Sequence, residues 1–232
     1  MKKRCLCCAL LFAMVVCAAS HGADVREGPS GTASRLVAGL GKVTIDGSPG
    51  RLLVWGPHAA ALYRDAWGND AAALLDDGRR RAVVLTHDAW FKSATWKQDA
   101  AAAFLERAID WLAGRKGMAR ILCYQAVDMG TYLKARGHLV DEPAQFPASL
   151  EGYDLVVIHF PRSLDKAFSA DAARVLAAGL DKGIPLLGSG IGWVFEHYGD
   201  GTRGADIALD YSANMVLGPH GLELVSGTAG KD

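Results

Sequence analysis

The segment Gly183-Ile184-Pro185-Leu186-Leu187-Gly188-Ser189-Gly190-Ile191-Gly192-Trp193 carries an apolar run straight into a glycine-dense turn. Ser189 could there attack a carbonyl if a histidine took its proton and an acid oriented that histidine, with His159 or His220 as the base. The plainer account is that these glycines serve a tight turn and close helix packing. Cys123 lies inside an apolar run and reads as a buried thiol, whereas a nucleophilic cysteine belongs on an exposed, electropositive turn. The seven histidines include no H-E-x-x-H, and Glu196-His197 lacks the second histidine of a zinc-peptidase helix. Outside that motif the metal-ligand set considered is His58, His87 and His159 converging in space, and neither metal nor cofactor is expected. Gly188, Gly190 and Gly192 make G-x-G-x-G, whose third glycine is misplaced for a dinucleotide fingerprint. Trp55, Trp67, Trp90, Trp96 and Trp193 fall at predicted strand ends or in loops, where an indole can stack on the apolar face of a sugar or fill a core.

These residues need elements to hold them. Arg51 to Trp55 and Ala82 to Thr86 are short β-rich runs, the second after the turn-like Asp76-Asp77-Gly78. Phe104, Ala108, Trp111 and Leu112 recur at helical spacing, which predicts a helix over Asp99 to Gly114. Arg120 to Tyr124 reads as a strand, and Met129 to Arg136 as a helix that Asp128 caps and Gly137 ends. Leu155 to Phe160 reads as a buried strand, Ser169 caps a helix striped by Ala172, Val175, Leu176, Gly179 and Leu180, and Ile184 to Leu187 is the next strand. That alternation predicts an α/β fold, a mostly parallel, flavodoxin-like sheet with helices on both faces. Parallel strands near 82–86, 120–124, 155–160 and 184–187 release their next residues on one side, so His87, Asp88, Trp90, Gln125, His159, Ser189 and Trp193 are expected to share a ligand-binding crevice at the carboxyl edge.

Lys2, Lys3 and Arg4 precede an apolar run from Cys5 to Ala19 that ends in Ala18, Ala19 and Ser20, the order of a cleavable secretory signal peptide over residues 1–23. The run is too short to span a bilayer, and Val16 before Cys17 is not the small residue that a lipoprotein signal wants. Cleavage would remove four of the five cysteines, leaving Cys123 with no disulfide partner, and three basic residues, leaving 22 against 25 acidic, a net charge of −3. A mildly acidic body without a basic run argues against nucleic acid and anionic membrane as partners. The expected layout is a flexible leader over 24–34, one domain over 35–225 and a polar tail over 226–232, in an exported protein of the periplasm or outside the cell.

Two resemblances add to this reading. The glycine turn resembles the nucleophile elbow of class I glutamine amidotransferase-like proteins, and the residue in the nucleophile's place is Gly190, which has no side chain to attack anything. More broadly, Arg81-Ala82-Val83-Val84-Leu85-Thr86-His87-Asp88-Ala89-Trp90, the helix at Phe104 to Leu112, the strand at Ile121, the turn at Gly188 to Trp193 and Asn214-Met215-Val216-Leu217-Gly218-Pro219-His220-Gly221-Leu222 are similar to segments of one family. That family is the secreted metallopeptidases of the enhancin and mucin-cleaving type, with the related animal channel-associated factors, and the similarity is to their N-terminal, amidotransferase-like region over roughly residues 40–225. The resemblance implies a region that accompanies a zinc-peptidase domain without being its catalytic part. The expectation is an exported, non-catalytic domain that binds a ligand or partner, a glycan or glycoprotein, without stable membrane insertion. The alternatives are a serine hydrolase using Ser189 and the N-terminal part of a longer secreted metallopeptidase.

Overall fold

The computed structural model describes residues 28–114 and 117–228; the expected signal peptide lies outside them. The elements run α1 (Pro29–Val37), β1 (Gly50–Val54), β2 (Ala59–Arg64), β3 (Asp70–Asp76), β4 (Arg81–Leu85), α2 (Ser93–Trp96), α3 (Asp99–Ala113), β5 (Arg120–Tyr124) and α4 (Val127–Ala135). They continue with β6 (Leu139–Asp141), β7 (Leu155–His159), α5 (Ala170–Asp181), β8 (Leu186–Ser189), α6 (Gly192–Tyr198), α7 (Ile207–Asp210), α8 (Ser212–Leu217) and β9 (Leu222–Thr228).

Among the described residues these strands form one sheet in the order β6-β5-β7-β8-β4-β3-β1-β9, with β2 paired to β3. The five strands from β6 to β4 are joined by parallel pairs, as the alternating apolar runs predict. Antiparallel pairs then add β3, β1, β9 and β2, an arm that the sequence reading did not foresee. Alternate residues of each parallel strand feed two cores. Val83, Leu85, Ile121, Cys123, Leu155, Val157 and Leu187 pack with Phe104, Leu105 and Ala108 of α3 on one face. Ala82, Val84, Leu122, Tyr124, Val156, Ile158 and Leu186 pack with Leu176 and Leu180 of α5 and Val216 of α8 on the other.

Local signals held in most places. Helix α3 ends at Gly114, which takes the left-handed conformation at φ 68°, and the Ser169 hydroxyl accepts from Ala172 N–H to cap α5. Three expectations are corrected. Asp128 lies inside α4, whose cap position is Ala126 with no side-chain bond. The leader is helical from Pro29, a proline pre-set for the first helical turn, and α1 buries Ala33 and Leu36. The tail is strand as far as Thr228, because β1 offers it a partner.

Candidate functional site

Of the seven candidate residues, His159 and Ser189 close β7 and β8, Gln125 follows β5, His87, Asp88 and Trp90 follow β4, and Trp193 lies in α6. Gln125 and His159 open onto a cleft of about 440 Å³ walled by Pro161, Arg162, Ser163 and Asp165. Gln125, between β5 and α4, is the one non-glycine among the described residues with positive φ, at 53°. A side chain held in that region costs about 1–3 kcal/mol, a strain found preferentially at functional sites. The 160–168 loop opposite is fixed by two carboxylates, one of them its own. Asp200 accepts from Leu164 N–H at 2.8 Å, and Asp165 accepts from the amides of Ala167 and Phe168 at 2.7 and 2.9 Å.

Ser189 and His159 are register partners on β8 and β7, and Ser189 Oγ lies 2.9 Å from His159 Nδ1. This is the nucleophile–base contact that a serine hydrolase needs, yet Ser189 is fully buried, so no substrate carbonyl meets its hydroxyl. His220 is not available to it: its ring packs by Arg80 and Asp181, at the amino end of β4, the far side of the sheet. The glycine turn is not strained either. Gly188, Gly190 and Gly192 all keep negative or extended φ, unlike a nucleophile elbow. A Cβ on Gly190 would stand 2.6 Å from both Leu224 Cδ1 and Tyr211 Oη, and one on Gly188 2.7 Å from Phe160 Cε2, so packing explains these glycines. Cys123 is buried, with burial pushing its thiol up to about 12, and it donates to Ala126 O.

The remaining candidates are occupied by structure. His87 lies under the 46–50 segment, where a Cβ on Gly47 would come within 2.9 Å of Nε2. Its Nδ1 is 2.9 Å from both Ala89 N–H and an Asp88 carboxylate oxygen, so it accepts from the first when neutral and donates to the second when protonated. The Asp88 carboxyl is held at about 2, first by hydrogen bonding to His87 and then by the charges of His87, His159 and Lys92 against its own desolvation. Trp193 donates its indole N–H to Ser48 O at 3.0 Å, and Trp90 is buried against Tyr63 and Phe104. Among the described residues no three His, Cys, Asp or Glu side chains gather as a metal site; His58, His87 and His159 do not form one.

Burial lowers the pKa of His159, with Asp88 opposing and His87 and Lys92 adding, and burial and Arg80 do the same to His220. Each ring is therefore harder to protonate in the folded chain than in the unfolded chain, where the ordinary value is 6.5. Their contribution is complete above that pH and is lost as pH falls through the lower folded values; the Asp88 contribution follows only below about pH 4. The urea midpoint is expected to drop between pH 7 and pH 5, and His159→Gln with His220→Gln to flatten that drop. An unchanged slope in the double variant contradicts the assignment.

No protein-family model matches the chain, and no curated protein matches it. Its fold is found in the IMPa metallopeptidase of Pseudomonas aeruginosa, at TM-score 0.62 and 17% identity over 85% of this chain. The same protein in complex with an O-glycopeptide gives 0.60 and 17% over 84%, and in complex with T-antigen 0.55 and 19% over 83%. In each case the match covers 22% of the neighbour's chain, so this chain spans about a fifth of the length of the structures it resembles. At that identity the shared property is the fold. Among the described residues no helix is long and apolar enough to cross a membrane.

Proposed function

We propose that this chain is an exported, non-catalytic binding domain of the kind associated with secreted metallopeptidases, and that it holds a glycan or glycoprotein in the cleft between the ends of β5 and β7. The observation that carries the reading is topological. Within the order β6-β5-β7-β8 the chain leaves β5 through α4, packed on one face, and leaves β7 through α5, packed on the other, so these two strands flank a switch point. Ligands of such sheets bind at that switch point, and here it is the gap walled by Gln125 on one side and His159 to Asp165 on the other. The sealed Ser189 and the side-chain-free Gly190 support binding over catalysis, in an amidotransferase-like outline without its nucleophile. The neighbours' complexes with an O-glycopeptide and with T-antigen make a glycan the first ligand to try. Removal of residues 1–23 on export belongs to the same reading.

On a glycan array the protein is expected to retain O-glycans, with His159→Ala and Arg162→Ala each weakening retention at least about tenfold. A glycan bound equally well by both variants puts the site elsewhere. Labelling of Ser189 by a fluorophosphonate overturns the non-catalytic reading. A second reading, that the chain is the N-terminal part of a longer metallopeptidase, is favoured by the 22% coverage, and the coding sequence downstream of Asp232 decides it.

A further inference from the structure

A second depression lies on the same edge of the sheet, beyond β3 and β4, and the crevice reading does not use it. It encloses about 740 Å³, room for one or two sugar rings, between the 40–49 segment and the β2–β3 turn. Both walls are fixed without a ligand. The Gln98 amide grips Thr44, accepting from its N–H at 2.9 Å and donating to its carbonyl at 2.8 Å, and Arg107 donates to the carbonyls of Leu36 and Ala38. In the opposite turn Asp65 accepts from the amides of Trp67 and Asn69 at 2.9 and 2.8 Å and from the Asn69 side chain at 2.8 Å.

That turn presents Trp67 with 66% of its surface exposed, and among the described residues no ring or cation meets it. A large apolar ring held out on a rigid turn beside an apolar cleft is a platform with nothing stacked on it. Tyr63 and Trp90 line the cleft as well, but Tyr63 Oη and Trp90 Nε1, like Trp96 Nε1 and Tyr132 Oη elsewhere, are buried out of a ligand's reach, so the wall offers their rings and the rim offers the polar groups. The rim is polar, with Lys42, Asp65 and the Arg64–Asp70 ion pair at 2.7 Å. A flat apolar platform beside a polar rim matches a ring with one C–H face and a girdle of hydroxyl or acetamido groups, whereas an acyl chain has no polar groups to set against that rim.

We propose that this cleft is a carbohydrate subsite that takes a pyranose, its apolar face on Trp67 and its polar substituents toward the rim of Lys42, Arg64 and Asp65. The site is independent of the β5–β7 cleft. The probes are N-acetylgalactosamine, the T-antigen disaccharide and maltose, followed by intrinsic tryptophan fluorescence and by saturation-transfer NMR on the whole protein. At least one is expected to bind saturably, and Trp67→Ala to weaken it about tenfold or more without moving the urea midpoint. Lys42→Ala, at an exposed rim position, is expected to weaken binding as well without moving the urea midpoint. The proposal is overturned if none of the three sugars binds at millimolar concentration, or if decanoate alone does. Binding that Arg162→Ala removes and Trp67→Ala spares also overturns it, and leaves the β5–β7 cleft standing.

Discussion

Asn214→Asp is expected to destabilise the protein by about 3–5 kcal/mol, the cost of leaving a buried charge among mismatched partners. Strand β9 is the edge of the sheet, with β1 on one side only. On its open side Asn214, buried at the start of α8, acts as a one-residue neighbouring strand. Its Oδ1 accepts from Leu224 N–H at 2.8 Å, and its Nδ2 donates to Leu224 O and Ile207 O, each at 2.8 Å. An edge strand's free amide and carbonyl are thus satisfied by a side chain in place of backbone. Aspartate keeps the acceptor but loses both donors, and turns a negative charge toward two carbonyl oxygens. Chemical denaturation of wild type and variant measures the difference, and a loss below about 1 kcal/mol would show that α8 is not what closes this edge.

The signal for that closure was on the page in the sequence, since Asn214 opens the Asn-Met-Val-Leu segment, but its partner was not. Leu224 lies ten residues away, at the end of the expected domain, in a stretch for which no strand was expected. The same limit separates the two halves of the sheet. Parallel strands such as Leu155–His159 and Arg120–Tyr124 are buried on both faces, so they advertise themselves as continuous runs of branched and aromatic residues. Strands β2 and β3 read Ala-Ala-Ala-Leu-Tyr-Arg and Asp-Ala-Ala-Ala-Leu-Leu-Asp. Alanine is depleted in strands, and cross-strand pairing, of β3 with β4 and of β2 with β3, decides their conformation. At the site, periodicity put His87, Gln125, His159 and Ser189 directly after strands; in the structure Gln125 follows β5, His87 stands two residues past β4, and His159 and Ser189 are the last residues of β7 and β8. What the loops then do was not legible. The 46–50 segment lies over His87, Trp193 reaches across to Ser48, and the single expected crevice becomes two clefts. Trp67 was noted only as one of several loop tryptophans, because neither the Asp65 turn that presents it nor the cleft beside it has a sequence signature.

The glycine turn gives the second large effect and a test of what those glycines are for. A Cβ at Gly192 would stand 2.3 Å from the carbonyl oxygen of Val225 and 2.8 Å from its carbon, both backbone atoms of β9 that cannot rotate away. Its φ is not left-handed, so the conflict is purely one of approach between the first turn of α6 and the strand. Gly192→Ala is therefore expected to cost about 3 kcal/mol or more, at the upper end of overpacking. At Gly190 the obstacles are the ends of side chains, Leu224 Cδ1 and Tyr211 Oη, the second of which accepts from Ile191 N–H at 3.0 Å. Gly190→Ala should cost less, about 1–3 kcal/mol, because Leu224 can rotate and Tyr211 can shift at the expense of that hydrogen bond. The order distinguishes packing from a vestigial active site. If Gly190 were an accessible elbow, Gly190→Cys would place a reactive thiol at the sheet edge. Since the position is closed over by Tyr211 and Leu224, the native Gly190→Cys protein is expected to resist iodoacetamide and react only in urea. Rapid alkylation of the folded variant, or a Gly192→Ala protein as stable as wild type, would return the turn to the list of catalytic candidates.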